Sequence, residues 1–156
     1  MVKSGDLIPS VTLEESKPGN SVDLSKELAS GSGIIIGVPA AFSPTCSDSH
    51  IPGYISHAKL KDAGKVFVVS VNDPFVMNAW GKSLSSQFGE STIRYLADPA
   101  GKFTRALDLE FESAPMLGTN RSKRYAMVVK DGRVVKVEVE PDNVGTSVST
   151  AESILG

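Results

Sequence analysis

The stretch "KRYAMVVKDGRVVKVEVE", Lys123 to Glu140, sets two runs of apolar and β-branched residues around Asp131-Gly132. An Asp-Gly pair readily takes up the positive backbone angles of a tight turn, so the stretch predicts an antiparallel hairpin. Upstream, "GIIIGV" (Gly33–Val38) and "KVFVVSV" (Lys65–Val71) are unbroken apolar runs, as expected of strands covered on both faces. "IRYLAD" (Ile93–Asp98) is a shorter third strand. Helices are predicted between them: "VDLSKELAS", a long segment from about Thr45 to Ala63 bent near Pro52, "DPFVMNAWGKSLSSQF" and "GKFTRALDL". Asp73 is a good N-cap with Pro74 at the first helical position. "IPSVTLE" (Ile8–Glu14) adds an N-terminal strand before a "KPGN" turn, Glu110–Thr119 reads as a loop, and "SVSTAESIL" closes with a helix capped by Ser147, Ser149 or Thr150. Strands alternating with helices suit a parallel sheet, but a chain ending in this hairpin needs a mixed one. The expected fold is an α/β three-layer sandwich with a central mixed sheet and an N-terminal β extension.

At 156 residues the chain can bury one good core, and we read residues 1–156 as a single domain. With 16 Lys+Arg against 18 Asp+Glu there is no basic excess to bind a phosphate backbone, so nucleic acid is not an expected partner. No apolar run approaches the roughly 18–20 residues of a membrane span, and the polar start "MVKSGD" is unlike a signal peptide, so no membrane partner is expected either. Cys46 is the only cysteine, which excludes an internal disulfide, a CxxC pair and a cysteine-based zinc site. The expected compartment is reducing: the cytoplasm, with peroxisome or another organelle left open.

That lone thiol sits in "GVPAAFSPTCSDSH", Gly37 to His50. Thr45 is a candidate N-cap and Asp48 would complete a capping box, placing Cys46 in the first turn of a helix. Unpaired N–H groups and the helix dipole there favour a thiolate. Asp48 works against it, so a nearby cation is required. The bland alternative is a small buried hydrophobe, as free cysteines often are. Neighbours of Ser, Pro, Thr and Asp favour the reactive reading. His50, four residues on, shares the helical face, but side chains so spaced sit about a turn apart, beyond a hydrogen bond. Packing beside Pro52 is the preferred reading for it.

The segment "PAAFSPTCSDSHIPGYI" resembles the active-site segment of the peroxiredoxin-5-type, alkyl-hydroperoxide-reducing peroxiredoxins, which read Pro-x-x-x-Thr/Ser-x-x-Cys. Pro39, Ser43 and Cys46 match it. The resemblance continues through "VSVNDPFVMNAWGKS", "LADPAGKF" and "NRSKRYAMVVKDG", in family order over nearly the whole chain. It implies a thioredoxin-like fold and a thiol-dependent peroxidase reducing hydrogen peroxide and organic hydroperoxides, with no cofactor. In that scheme Cys46 is the peroxidatic nucleophile that becomes a sulfenic acid. Ser43 and the Cys46 N–H hold the peroxide, Pro39 shields the thiolate, and Arg124 is the missing cation. Arg121 is expected to be a solvated edge-strand charge. Homodimers are common in the family, and Ala40, Phe42 and Phe75, read as exposed, would suit that interface.

The chain departs from many relatives in lacking a second, resolving cysteine; Val68 and Val148 stand at the corresponding places. The resemblance therefore implies a one-cysteine mechanism with an external thiol reductant: glutathione, glutaredoxin or thioredoxin. Two rival readings share the thiol. A Cys46–His50 hydrolase would need a third residue to orient the histidine, and no candidate is visible. A thioredoxin-fold redox sensor or relay would oxidise without efficient turnover. "GKS" at Gly81–Ser83 is not a phosphate loop, since Val76 occupies the place of its first glycine.

Overall fold

The computed structural model describes residues 1–156. Strand β1 (Thr12–Glu14) pairs with β2 (Ser21–Asp23), and a short α1 (Leu24–Glu27) leads into β3 (Ser32–Val38). A helical turn at Cys46–His50 continues into α2 (Ile51–Ile55), and a 3-10 turn at Leu60–Asp62 precedes β4 (Lys65–Ser70). Then come α3 (Pro74–Phe88), β5 (Arg94–Ala97), α4 (Lys102–Ala106), β6 (Glu110–Phe111), α5 (Ala114–Leu117) and β7 (Arg121–Ser122). The chain ends with β8 (Tyr125–Lys130), β9 (Arg133–Val139) and α6 (Ala151–Leu155).

The sheet has seven strands in the order β2-β1-β5-β4-β3-β8-β9. β3, β4 and β5 are parallel, and β8 joins β3 antiparallel, so the hairpin makes the sheet mixed as its sequence requires. Asp131 and Gly132 both have positive φ, 49° and 80°, which matches the strand twist at a two-residue turn. Alternate side chains of β3 go to opposite faces. Ile34, Ile36 and Val38 join one core with Val66, Val68, Trp80, Tyr54 and Cys46. Ile35 joins the other, with Phe67, Leu96, Phe103, Tyr125 and Leu24. Two apolar layers on one sheet give the three-layer sandwich, and the β1–β2 hairpin extends it beyond β5. Gly37 lies opposite Tyr125, and a Cβ there would overlap the tyrosine ring.

Several local expectations are corrected. Only Thr12–Glu14 of the Ile8–Glu14 run is a strand. The presumed loop 110–119 holds β6 and α5, and β6 pairs with β7. The expected long helix is broken into three pieces. Pro52 has no N–H for the carbonyl four residues back, so the turn before it widens, and Ile51 N donates to Cys46 O, five residues back. The Thr45–Asp48 capping box is absent: Thr45 is itself helical and caps nothing. The helix starts earlier, with Ser47 N donating to Ser43 O at 2.9 Å. Asp73 does cap α3, accepting from Val76 N at 2.9 Å, and Thr150 caps α6, accepting from Ser153 N at 3.2 Å.

Candidate active site

β3 and β8 run antiparallel with Gly37 opposite Tyr125, so the loop leaving β3 and the residue entering β8 meet at one end of the sheet. Cys46 and Arg124 are thereby brought together. Both are buried, Cys46 fully and Arg124 to 2% exposure. Arg124 Nη2 donates to Cys46 Sγ at 3.1 Å, Nη1 to His50 Nδ1 at 2.8 Å, and Nε to Val144 O at 3.1 Å. No carboxylate forms an ion pair with this guanidinium. Its positive charge is thus shared among the sulfur, the His50 ring and the Val144 carbonyl.

An arginine can only donate, so His50 Nδ1 must accept, and the ring proton resides on Nε2. Nε2 then donates to Ser149 O, 3.1 Å away, which also accepts from Tyr54 Oη at 2.7 Å. Burial first, then the adjacent Arg124 charge, lowers the His50 pKa to about 4, outweighing the Ser149 bond and the Glu140 charge. The imidazole is therefore neutral at physiological pH.

The loop carrying Pro39 and Ser43 is tied to the next strand. Asn72 Oδ1 accepts from Ala41 N at 3.1 Å and from Ser70 Oγ at 2.6 Å. Phe42 is forced to a φ of 65°, a conformation that bulky side chains rarely adopt. Pro39 is buried, and Ser43 is half-buried with its hydroxyl donating to Ala40 O at 2.9 Å. Trp80 Nε1 donates to Ser47 Oγ at 2.9 Å, fixing the turn that bears the thiol.

Behind the site lies Glu140, 1% exposed. Its carboxylate accepts from the N–H and hydroxyl of both Ser147 and Ser149 and from the N–H of Val148, at 2.6–3.0 Å. Burial works to raise its pKa, but these bonds, led by the Ser149 hydroxyl, hold it at about 2.

The four residues singled out in the sequence all lie in this region, though only Cys46 and Arg124 are in direct hydrogen-bonded contact. Three assignments change. Arg121 is not a solvated charge, since Nη1 and Nη2 donate to Val71 O and Leu117 O at 2.9 and 3.0 Å. Ala40 is 8% exposed, so it belongs to the core side of the loop; Phe42 and Phe75 are exposed, at 52% and 63%. His50 does more than pack beside Pro52, as its bond to Arg124 shows. The residues that sequence reasoning missed are Glu140, Ser149 and Asn72. His50 carried one signal, its position on the Cys46 face; Glu140 and Ser149 carried none, because their pairing depends on how residues 140–149 fold back.

A family model described as Redoxin matches residues 3–155. The chain belongs to the redoxin family. It is 44% identical to the peroxisomal membrane associated protein 20 of Schizosaccharomyces pombe, over 99% of this chain and 98% of that one. Peroxiredoxin 5 from Alvinella pompejana superposes with a TM-score of 0.82 at 41% identity, covering 92% of this chain and 93% of that chain. Reduced Prx3 of Vibrio vulnificus, in complex with hydrogen peroxide, gives 0.88 at 38% identity, covering 99% and 98%. These likenesses make the protein a peroxiredoxin of the peroxiredoxin-5 type, a thiol-dependent peroxidase. A peroxiredoxin with one cysteine is consistent with a one-cysteine cycle, and the relay reading is not favoured.

Proposed function

We propose that Cys46 attacks the hydroperoxide, that Arg124 stabilises both the thiolate and the departing oxygen, and that an external thiol completes the cycle. The observation carrying this reading is the 3.1 Å contact from Arg124 Nη2 to Cys46 Sγ, made by a guanidinium without a carboxylate partner. In the attack, sulfur takes the terminal OH of the peroxide. One S–O bond forms as the O–O bond breaks, leaving Cys46 as a sulfenic acid. The departing alkoxide, or hydroxide from hydrogen peroxide, picks up a proton from water. Negative charge moves from sulfur to the leaving oxygen along the line of attack. A rigid fork of N–H donors that is already in place can stabilise it there without reorganising.

Ser43 supplies a hydroxyl that exchanges its Ala40 carbonyl for the peroxide, and the Cys46 N–H is the second donor. Pro39 closes the side of the site against water. Resolution then requires an incoming thiol, glutathione or the cysteine of a glutaredoxin or thioredoxin. Its attack on the sulfenic acid releases water and leaves a mixed disulfide, and a second thiol frees Cys46. Because Cys46 is fully buried, this step needs the Cys46–His50 turn to open.

Steady-state peroxide consumption with each of the three reductants tests the reading. We expect turnover with at least one of them and none in Cys46→Ser. Oxidation without turnover under all three would return the relay reading to favour. Residues 1–156 act in this scheme as one domain. Exposed Phe42 and Phe75 support a homodimer through the face around the active-site loop. No helix is long and apolar enough to cross a membrane. For the compartment we propose the cytoplasm or the peroxisome; the printed name of the Schizosaccharomyces pombe relative supports the latter.

A further inference from the structure

We infer that Glu140 is a positioning residue for peroxide reduction, acting at a distance through the segment it folds around Arg124. The inference rests on the role proposed above for Arg124.

The segment from Glu140 to Ser149 bonds Arg124 at three of its five polar atoms and reaches a fourth, Nη1, through His50. Glu140 N donates to Arg124 O at 3.0 Å, and Arg124 N donates to Asn143 O at 2.7 Å. Val144 O takes the Nε proton at 3.1 Å. Ser149 O takes the His50 Nε2 proton at 3.1 Å, and His50 Nδ1 takes the Nη1 proton at 2.8 Å. Only Nη2 is left for Cys46, at 3.1 Å. The aim of the guanidinium is therefore set by the shape of a segment that is otherwise irregular backbone.

That shape depends on one carboxylate. Residues 141–149 belong to no helix or strand, so their N–H groups have no ladder to bond into. The carboxylate of Glu140 gathers three successive N–H groups, those of Ser147, Val148 and Ser149, together with two hydroxyls. Holding Ser149 N and Oγ on one side fixes where its carbonyl points on the other, toward His50 and Tyr54. The path then runs from Glu140 through Ser149, His50 and Arg124 to Cys46. Every link is a hydrogen bond between buried groups. Such networks lose more than the single bond removed when a member is left unsatisfied.

Glutamine at 140 keeps the volume but replaces one acceptor oxygen by an NH2, which faces N–H and O–H donors. Glu140→Gln should slow oxidation of Cys46 by hydroperoxide roughly 2- to 30-fold, the span that remote network substitutions commonly produce. Ser149→Ala, which removes a single hydroxyl from the clamp, should sit at the low end of that range. A merely structural defect would slow any background equally. Both substitutions are therefore to be measured again in Arg124→Ala, where the inference predicts that their effect on the rate disappears.

Wild-type rates in folded Glu140→Gln and Ser149→Ala, or an unchanged slowing in the Arg124→Ala background, would overturn the inference. Should Glu140→Gln fail to fold, Ser149→Ala alone decides between these outcomes. If Arg124→Ala itself oxidises at the wild-type rate, the proposed role of Arg124 falls and this inference falls with it. If Arg124→Ala is slow while both clamp variants are normal, only the inference falls.

Discussion

At Cys46 the decisive quantity is which partner the sulfur has. The residue packs among Ile36, Val38, Ile51 and Trp80, surroundings that alone would make it an inert hydrophobe. In the proposed reading, one guanidinium nitrogen, 3.1 Å from the sulfur, changes that. Removing it by Arg124→Ala should slow peroxide oxidation about 10²–10³-fold, the usual cost of losing one preorganised charge-stabilising donor. Arg124→Lys keeps the charge but cannot donate to His50, Val144 and Cys46 at once, so a large part of that loss should persist in stopped-flow measurements. Cys46 stood out as a candidate in the sequence because the thiol was unique and its motif was local. The cation stood far along the chain and needed the family resemblance to be found.

Among the elements, the hairpin and the buried strands were readable because turn chemistry and apolar runs are local signals. The Cys46–His50 turn was not. Reading Thr45 as the cap assumed a regular helix, whereas the missing N–H of Pro52 widens the turn and shifts its start to precede Thr45. The turn is short, lacks a side-chain cap and is held by Trp80 Nε1 on Ser47 Oγ. Ser47→Ala leaves that N–H without an acceptor, a loss of about 1 kcal/mol, and opens the turn more often. The expected outcome is faster resolution of the oxidised protein by glutathione and slower attack on peroxide. Single-turnover measurements of the two half-reactions would show it, and equal changes in both would contradict it.

For the molecule as a whole, both cores and the mixed sheet follow from the sequence, but the polar layer behind the site does not. It consists of a buried histidine and a buried glutamate, both bonded to Ser149 in the segment 140–149. This burial makes stability depend on pH. His50 falls from 6.5 to about 4 in the fold, so the unfolded chain binds the extra proton between those values, and stability is complete above 6.5 and drops as pH falls toward 4. Glu140 falls from 4.5 to about 2, adding a second loss below 4.5. Each group contributes up to about 1.4 kcal/mol per pH unit within its window. Denaturant melts of wild type should be flat from the top of the first window up to the range where tyrosines exposed by unfolding ionise, and slope below it, and His50→Asn should flatten the upper slope. The exposed Phe42 and Phe75 predict a second property at this scale, a dimer in sedimentation that Phe42→Asp weakens.

The central claim is that the buried, arginine-bound thiol of Cys46 reduces peroxides. Stopped-flow oxidation of the reduced protein by one equivalent of tert-butyl hydroperoxide, followed by intact mass, tests it most directly. The account predicts rapid loss of peroxide, a gain of one oxygen at Cys46, and reversal on adding a thiol reductant. Oxidation no faster than that of a free thiol in solution would contradict it.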